Sequence, residues 1–178
     1  MQRALALALL GLTGCFQYSS VDYTLDLRSN RAEIVYRDLR GDGWEDFVSL
    51  MKSTTSDNAF REEFPRASVS REEVAPNGAT LELQLDLAGS SPADLGLAPW
   101  DAATPYRFCP AFGNTITASN ATYRDPDGCL VWKKGTRVLR IHATPLGPVG
   151  GDSLLPSYQK WVAEGRPDLN AAPAAPTP

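Results

Sequence analysis

The chain has 178 residues, with 17 Lys and Arg, 21 Asp and Glu and a single histidine, so its formal net charge at pH 7 is −4. This acidic balance argues against nucleic acid as a partner and against broad contact with anionic membrane surfaces. The basic residues are dispersed along the sequence, so we expect no phosphate-binding stripe. The length suits one moderate domain with a hydrophobic core of its own.

The first 14 residues have the layout of a secretory signal, with one positive charge at Arg3 and an apolar run over residues 4–12. That run is much shorter than the roughly 20 apolar residues of a membrane-spanning helix. The letters "LTGC" at residues 12–15 end this segment and resemble the lipobox of bacterial lipoproteins. The alternative is an ordinary cleaved signal in which Cys15 is incidental.

The lipobox resemblance implies a specific chemistry for Cys15. In that family the signal (here residues 1–14) is cut just before the cysteine, the sulfur carries diacylglycerol, and the new amine usually receives a further acyl chain such as palmitate. Stable anchoring requires more than one chain. Phe16 stands where an aspartate tends to retain Gram-negative lipoproteins at the inner membrane. The resemblance therefore implies a lipid-anchored protein of the cell envelope, sorted to the outer membrane.

A short tether and a hairpin are expected next. Residues 15–20 span little distance, so the domain should lie close to the bilayer. The stretches "VDYTLDL" at 21–27 and "AEIVYRDL" at 32–39 alternate apolar and polar residues on either side of a short polar turn. This period of two predicts a β-hairpin.

The period then becomes that of a helix. Apolar residues recur at i, i+3, i+4 and i+7, namely Trp44, Phe47, Val48 and Met51. This spacing predicts an amphipathic helix, with Asp42 as its cap and Glu45 completing a capping box. A second helical stretch is expected at 57–64, where it ends at Pro65.

The clearest strand is "TLELQLDLAG" at residues 80–89, in which leucines alternate with polar residues. A turn at 75–78 links it to a strand that begins near Val69, and "SSPADLG" at 90–96 predicts a short helical turn.

Further short strands are expected around residues 106–109, 114–118, 129–132 and 137–143, the last two joined by "KKGT". "SLLPSYQKWVAEG" at 153–165 predicts a final helix, and the Ala- and Pro-rich residues 169–178 predict a disordered tail. Hairpins interleaved with a few helices, without alternating βα units, predict one α+β domain over residues 21–168. Its sheet should be mainly antiparallel, with a few amphipathic helices packed against it.

Cys109 and Cys129 remain as an even pair if Cys15 carries lipid. Such a pair in an exported domain predicts a disulfide. Closing that loop would stabilise the fold by about 3 kcal/mol. The alternative is two separate buried thiols.

The letters "GDSL" at residues 151–154 resemble the signature of GDSL-type esterases and lipases, in which the serine is the nucleophile and a histidine lies far downstream. Here Ser153 lies near the C-terminus, and the one histidine, His142, precedes it in a strand whose polar face it should occupy. A serine needs an adjacent base to act as a nucleophile. We therefore expect Asp152 or Ser153 to cap the final helix and assign no catalytic residue.

The letters "DPDG" at residues 125–128 resemble the start of a calcium loop. Counting from Asp125, however, Leu130 and Thr136 stand where an EF-hand needs Gly and Glu. Proline followed by Asp-Gly favours a turn, which is the preferred interpretation. One histidine and a bridged cysteine pair offer no transition-metal ligand set, so we expect no metal and no other cofactor.

The segment from Tyr106 to Trp132 combines both cysteines of the pair, this turn and several aromatic residues. A stapled polar loop presents a rigid recognition surface, but the staple can equally serve stability alone. Together these features favour a membrane-anchored, non-enzymatic module for envelope binding or assembly. Its expected partners are the membrane, through the lipid, and an envelope protein, but not nucleic acid. The alternatives are an envelope hydrolase that uses Ser153 and a carrier of lipid or another small ligand.

Overall fold

The elements of the fold are those of a computed structural model, which describes residues 17–56, 66–98, 105–109 and 114–170. Cys15, the helical stretch expected at 57–64 and most of the expected tail lie outside these residues. In chain order the elements are β1 (Ser20–Asp26), β2 (Arg31–Arg37), β3 (Arg40–Gly41), α1 (Trp44–Ser56), β4 (Ser68–Asn77), β5 (Thr80–Ala88), a 3-10 turn (Pro92–Leu95), β6 (Tyr106–Phe108), β7 (Asn114–Ser119), β8 (Tyr123–Arg124), β9 (Leu130–Trp132), β10 (Val138–Pro145), β11 (Asp152–Ser153) and α2 (Leu155–Ala163).

The main sheet has six antiparallel strands in the order β4-β5-β2-β1-β10-β7. β1 and β2 form the expected hairpin, in which Val21 lies opposite Tyr36 and Leu25 opposite Ala32. The expectation of a mainly antiparallel sheet is thus confirmed. Sheet dominates the fold, and the described residues contribute two α-helices.

One face of the main sheet is buried in a single hydrophobic cluster. The four leucines of β5 are at most 2% exposed and alternate with half-buried polar residues, as their period of two requires. Phe47 and Leu50 of α1 and Tyr158 of α2 cover this face. The rings of Phe47 and Tyr158 meet edge to face at 6.4 Å between centroids, an arrangement that aromatic pairs prefer. The two helices therefore share one layer on the sheet.

A smaller three-stranded sheet, in the order β6-β9-β8, completes the core. Phe108 and Trp132 are buried, and the ring of Phe108 lies 5.9 Å from that of Tyr23 in the main sheet. The predicted disulfide is present between Cys109, just after β6, and Cys129, just before β9. β9 and β10 follow each other in the chain, yet they belong to different sheets.

The helix starts differ in part from expectation. At the start of α1 the carboxylate of Asp46, rather than Glu45, accepts a hydrogen bond from the backbone N–H of Asp42 (2.6 Å). Before α2, the hydroxyl of Ser153 accepts from the N–H of Leu155 (3.3 Å). The N-cap residue, however, is Leu154, without a capping side chain, so neither Asp152 nor Ser153 holds the expected cap position. Asp152 instead pairs with Gly41 in the two-stranded sheet of β11 and β3.

The described part of the chain is hydrogen-bonded to the sheet from Gln17 onward, three residues before β1. The backbone N–H and C=O of Gln17 each bond to Arg40 at 2.8 Å, and the N–H of Ser19 donates to the C=O of Arg37. The side-chain oxygen of Gln17 also accepts from the N–H of Gly150 (2.6 Å). We call the end of the sheet formed by residues 17–19, Arg40 and the loop 146–151 the N-terminal rim.

Candidate functional site

The face of the main sheet that turns away from the core carries a shallow depression of about 540 Å³, open to solvent. It crosses β2, β1 and β10 and ends beside β7. We call it the sheet groove, and its charged and polar lining residues include Asp22, Thr24, Glu33, Arg37, Arg140 and His142. They meet there because alternate residues of a strand point to the same face and neighbouring strands bring their polar positions into line.

An ion-pair network runs across four neighbouring strands at one side of the groove. His142 lies directly opposite Asp22 in the pairing of β10 with β1, and its Nδ1 is 2.6 Å from Asp22 Oδ1. The Nε of Arg37 donates to the other oxygen of Asp22 (2.5 Å), and its Nη1 donates to Glu82 on β5 (2.7 Å). Both oxygens of Asp22 are therefore engaged within the protein.

The network favours the ionised form of Asp22. Burial works to raise the pKa of this carboxyl, but the hydrogen bonds from Arg37 and His142 outweigh it and hold the pKa below its ordinary value. The side chains of Asp22 and Arg37 remain 31% and 40% exposed. The pair is therefore a partly solvated ion pair of modest strength, and it fixes the orientation of the imidazole.

The neighbouring row of the groove carries two charges that form no close ion pair with each other. Thr24 lies opposite Glu33 on one side and opposite Arg140 on the other. Adjacent strands are about 4.8 Å apart, so the backbones at Glu33 and Arg140 are separated by about 10 Å. Among the residues that the structure describes, neither the carboxylate of Glu33 nor the guanidinium of Arg140 forms a hydrogen bond or a close ion pair. Glu33 is nevertheless within electrostatic range of Arg71 on β4, whose pKa it helps to raise. One acidic and one basic group thus flank a threonine and are available to a ligand.

Sequence reasoning placed His142 on the polar face of its strand, and it lies there, half-buried in the sheet groove. It missed Asp22, Glu33 and Arg140. Their only signal in the sequence is polarity at alternate positions, which does not say which strands become neighbours. Once β1 is paired with both β2 and β10, the juxtaposition follows from the register.

The GDSL-like segment lies apart from the groove. Ser153 belongs to β11, and its hydroxyl accepts from the first turn of α2, whereas His142 contacts Asp22 on the main sheet. Gly151 has a φ of +73°, and a Cβ there would lie 2.9 Å from the backbone nitrogen of Gly41. Backbone geometry thus accounts for the glycine, and the hydroxyl of Ser153 is engaged with the N–H of Leu155. The structure does not bring the serine and the histidine together.

The DPDG segment is a turn organised by Asp125, as preferred above. One oxygen of Asp125 accepts from the N–H groups of Asp127 (3.0 Å) and Cys129 (2.9 Å), and the other accepts from Arg107 (2.6 Å). Burial works to raise the pKa of Asp125, but these hydrogen bonds keep it below the ordinary value. The carboxylate thus fastens the turn to β6 and to the disulfide. In the described parts of the chain, no cluster of His, Cys, Asp and Glu is arranged to hold a metal ion.

A second open depression, of about 500 Å³, lies at the end of the sheet opposite the N-terminal rim. Arg28 and Arg137 line it together with Tyr106. The two arginines are far apart in sequence but meet because the N–H of Leu27 bonds to the C=O of Arg137 (2.9 Å). The fold therefore gathers some basic residues that are dispersed in the sequence.

Within the described residues, no helix combines the length and the apolar character needed to cross a membrane. Comparison with known protein families, with characterised protein sequences and with solved structures found no match. The sheet groove is therefore the feature on which a functional proposal for this chain rests.

Proposed function

We propose that this chain is a lipoprotein of the bacterial envelope, anchored through lipid on Cys15 at the outer membrane, and that its domain is a non-enzymatic binding module. Its ligand is a zwitterionic molecule of the length of a short peptide, held in the sheet groove. The observation that carries this proposal is the row of Glu33, Thr24 and Arg140, in which two opposite charges without a close ion-pair partner face solvent.

The spacing of these charges selects the size of the ligand. An extended chain advances about 3.3–3.6 Å per residue, so the amine and the carboxylate of a tripeptide lie about 10 Å apart. The guanidinium of Arg140 suits a carboxylate because it can donate two parallel hydrogen bonds. Glu33 suits the ammonium group, and the hydroxyl of Thr24 can bond to an amide between them.

Binding fits this groove better than the alternatives. The hydrolase alternative depended on Ser153, whose hydroxyl accepts a helix N–H and lies in a different sheet from His142. A lipid carrier requires an enclosed apolar space, whereas the sheet groove is open to solvent and charged side chains are interspersed among its apolar ones. The network of Asp22, Arg37 and His142 has a structural role, because it holds the strands at one side of the groove in place beneath a ligand.

The ligand is tested by calorimetric titration of the full-length processed protein in detergent with trialanine as the probe. We expect Glu33→Gln and Arg140→Gln each to weaken binding about tenfold, the loss of one charge-assisted hydrogen bond. Arg137→Gln is the matched control, because Arg137 lines the second depression and not the sheet groove. This variant should bind trialanine as the unaltered protein does. N-acetyl-trialanine amide, which lacks both charges, should not bind. Absence of trialanine binding, or equal binding by all three variants, contradicts the proposal.

The anchor is tested separately in cells. Inhibition of the lipoprotein signal peptidase should leave a precursor that keeps residues 1–14, and intact mass of the processed protein should show acyl chains that are lost in Cys15→Ala. Normal processing under the inhibitor would remove the anchor from the proposal while leaving the groove untouched.

A further inference from the structure

The most exposed large apolar side chain of the described residues lies at the N-terminal rim. Leu146 is 71% exposed and directly follows β10. Val21 lies opposite Ala143, three residues before Leu146. Leu146 therefore lies near the first residues that the structure describes, which follow Cys15 closely in the chain.

The rim holds this leucine in a defined position relative to the N-terminal segment. Gly150 donates its N–H to the side chain of Gln17 (2.6 Å), and Arg40 donates to the C=O of Gly151 (3.3 Å). The hydroxyl of Tyr18 donates to Asn114 (3.1 Å), which lies opposite Pro145 in the sheet. Hydrogen bonds thus connect both flanks of the loop to Gln17 and Tyr18, which follow Cys15 closely in the chain.

The distances are short. Cys15 precedes Gln17 by two residues, a span of at most about 7 Å, and Leu146 precedes Gly150 by four residues, a span of at most about 14 Å. The loop from Leu146 to Val149 reads Leu-Gly-Pro-Val and contains no charged side chain. It can therefore enter a bilayer surface without the cost of removing a charge from water.

We propose that Leu146 inserts into the bilayer surface beside the lipid on Cys15, so that the N-terminal rim is a second membrane contact. This inference rests on the lipid anchor of the proposed function. The contact sets the orientation of the domain. The strands of the main sheet then run away from the membrane surface, and the turn at Lys134 lies at the end farthest from it. The sheet groove then opens sideways, accessible to a ligand along the membrane surface. A contact through one leucine also agrees with the acidic charge of the chain, which disfavours broad contact with anionic lipid.

The test is a depth measurement on the full-length lipidated protein in vesicles of phosphatidylethanolamine and phosphatidylglycerol. Gly147 is the labelling site, because a Cβ there meets nothing within 4 Å and Leu146 stays intact. With Cys15 acylated and the disulfide formed, Gly147→Cys supplies the one free thiol for a nitroxide label. Lys134→Cys, exposed in the turn at the other end of the sheet, is the control. The readout is the ratio of collisions with oxygen to collisions with a water-soluble nickel complex, which rises with depth in the bilayer.

We expect a higher ratio at position 147 than at position 134, and a fall to the control ratio when Leu146→Ser is added to Gly147→Cys. Equal ratios at the two positions in vesicles that carry the protein overturn the inference and leave the anchor standing. A high ratio that Leu146→Ser does not lower also overturns it, since the leucine is then not the contact. Failure of the protein to float with the vesicles overturns both the anchor and this inference.

Discussion

The Nδ1 atom of His142 lies 2.6 Å from Oδ1 of Asp22, although the two residues are 120 positions apart in the chain. Arg37 holds the second oxygen of the same carboxylate at 2.5 Å. One side of the sheet groove is thus formed by a network in which the carboxylate of Asp22 bonds to Arg37, from early in the domain, and to His142, from late in it.

Asp22→Asn should lower the free energy of unfolding by about 1 kcal/mol near pH 7, the upper range for a partly exposed ion pair. Because the folded-state pKa of Asp22 lies below its ordinary value of 3.8, its contribution is present above that value and is lost as the pH falls through the folded-state pKa. Urea unfolding of both proteins near neutrality and at a series of pH values below 3.8 measures this loss. Asp152→Asn, which alters an exposed carboxyl, is the control, and a difference that persists at low pH would contradict the network.

Glu72 lies on the core face of the edge strand β4, opposite Leu85, and burial raises its pKa to about 7. Among the described residues, its buried Oε1 has no hydrogen-bond partner. A raised carboxyl pKa favours the folded state below the unfolded-state value of about 4.5 and ceases to do so as the pH rises through about 7. The unaltered protein should therefore lose stability across this window.

Glu72→Gln should remove that loss, because an amide has no charge to desolvate. We expect the variant to be more stable than the unaltered protein near pH 8 and to differ less from it near pH 4, where the carboxyl is protonated in both states. Thermal unfolding across this pH range is the measurement. Glu73→Gln, at the neighbouring exposed position that pairs with Arg71, is the control. The same pH profile for both variants would contradict the role assigned to Glu72.

Asp125→Asn should destabilise the fold far more than Asp127→Asn does. Both carboxylates bond to Arg107, but the side chain of Asp125 is 1% exposed and that of Asp127 is 75% exposed. Replacing Asp125 also weakens its acceptance of the N–H groups of Asp127 and Cys129 beside the disulfide. Urea unfolding midpoints of the two variants make the comparison, and equal midpoints would show that the turn does not depend on Asp125.

Gly151→Ala should cost about 2–3 kcal/mol, since a left-handed φ costs a non-glycine residue roughly 1–2 kcal/mol and the new Cβ would meet the backbone of Gly41. Gly78→Ala separates the two effects, because Gly78 also has a positive φ, +61°, but has open space around its Cβ. We expect Gly78→Ala to lower the free energy of unfolding by about 1 kcal/mol, as measured by urea unfolding. If both variants lose the same amount, contact with Gly41 adds nothing.

Local pattern in the sequence is enough to place most elements of the fold. The alternating leucines of β5 predict their strand, the spacing from Trp44 to Met51 predicts α1, and Pro126 with Gly128 predicts the turn. These features depend on residues a few positions apart, so a period of 2 or 3.6 and simple turn chemistry are sufficient. The pairing of Cys109 with Cys129 is also predicted from the sequence, because two cysteines remain once Cys15 is set aside as the expected lipid site.

Strand pairing is what only the tertiary structure decided. The period of β10 does not say that it pairs with β1 rather than with β9, which precedes it in the chain. That choice depends on how the buried faces of distant segments fill one core, as where Phe108 packs on Tyr23. Asp22 meets His142, and Glu33 and Arg140 flank Thr24, only through this pairing. The alternation of residues in the sequence therefore determined that the outer face is polar. The register of distant strands determined which charges meet on that face.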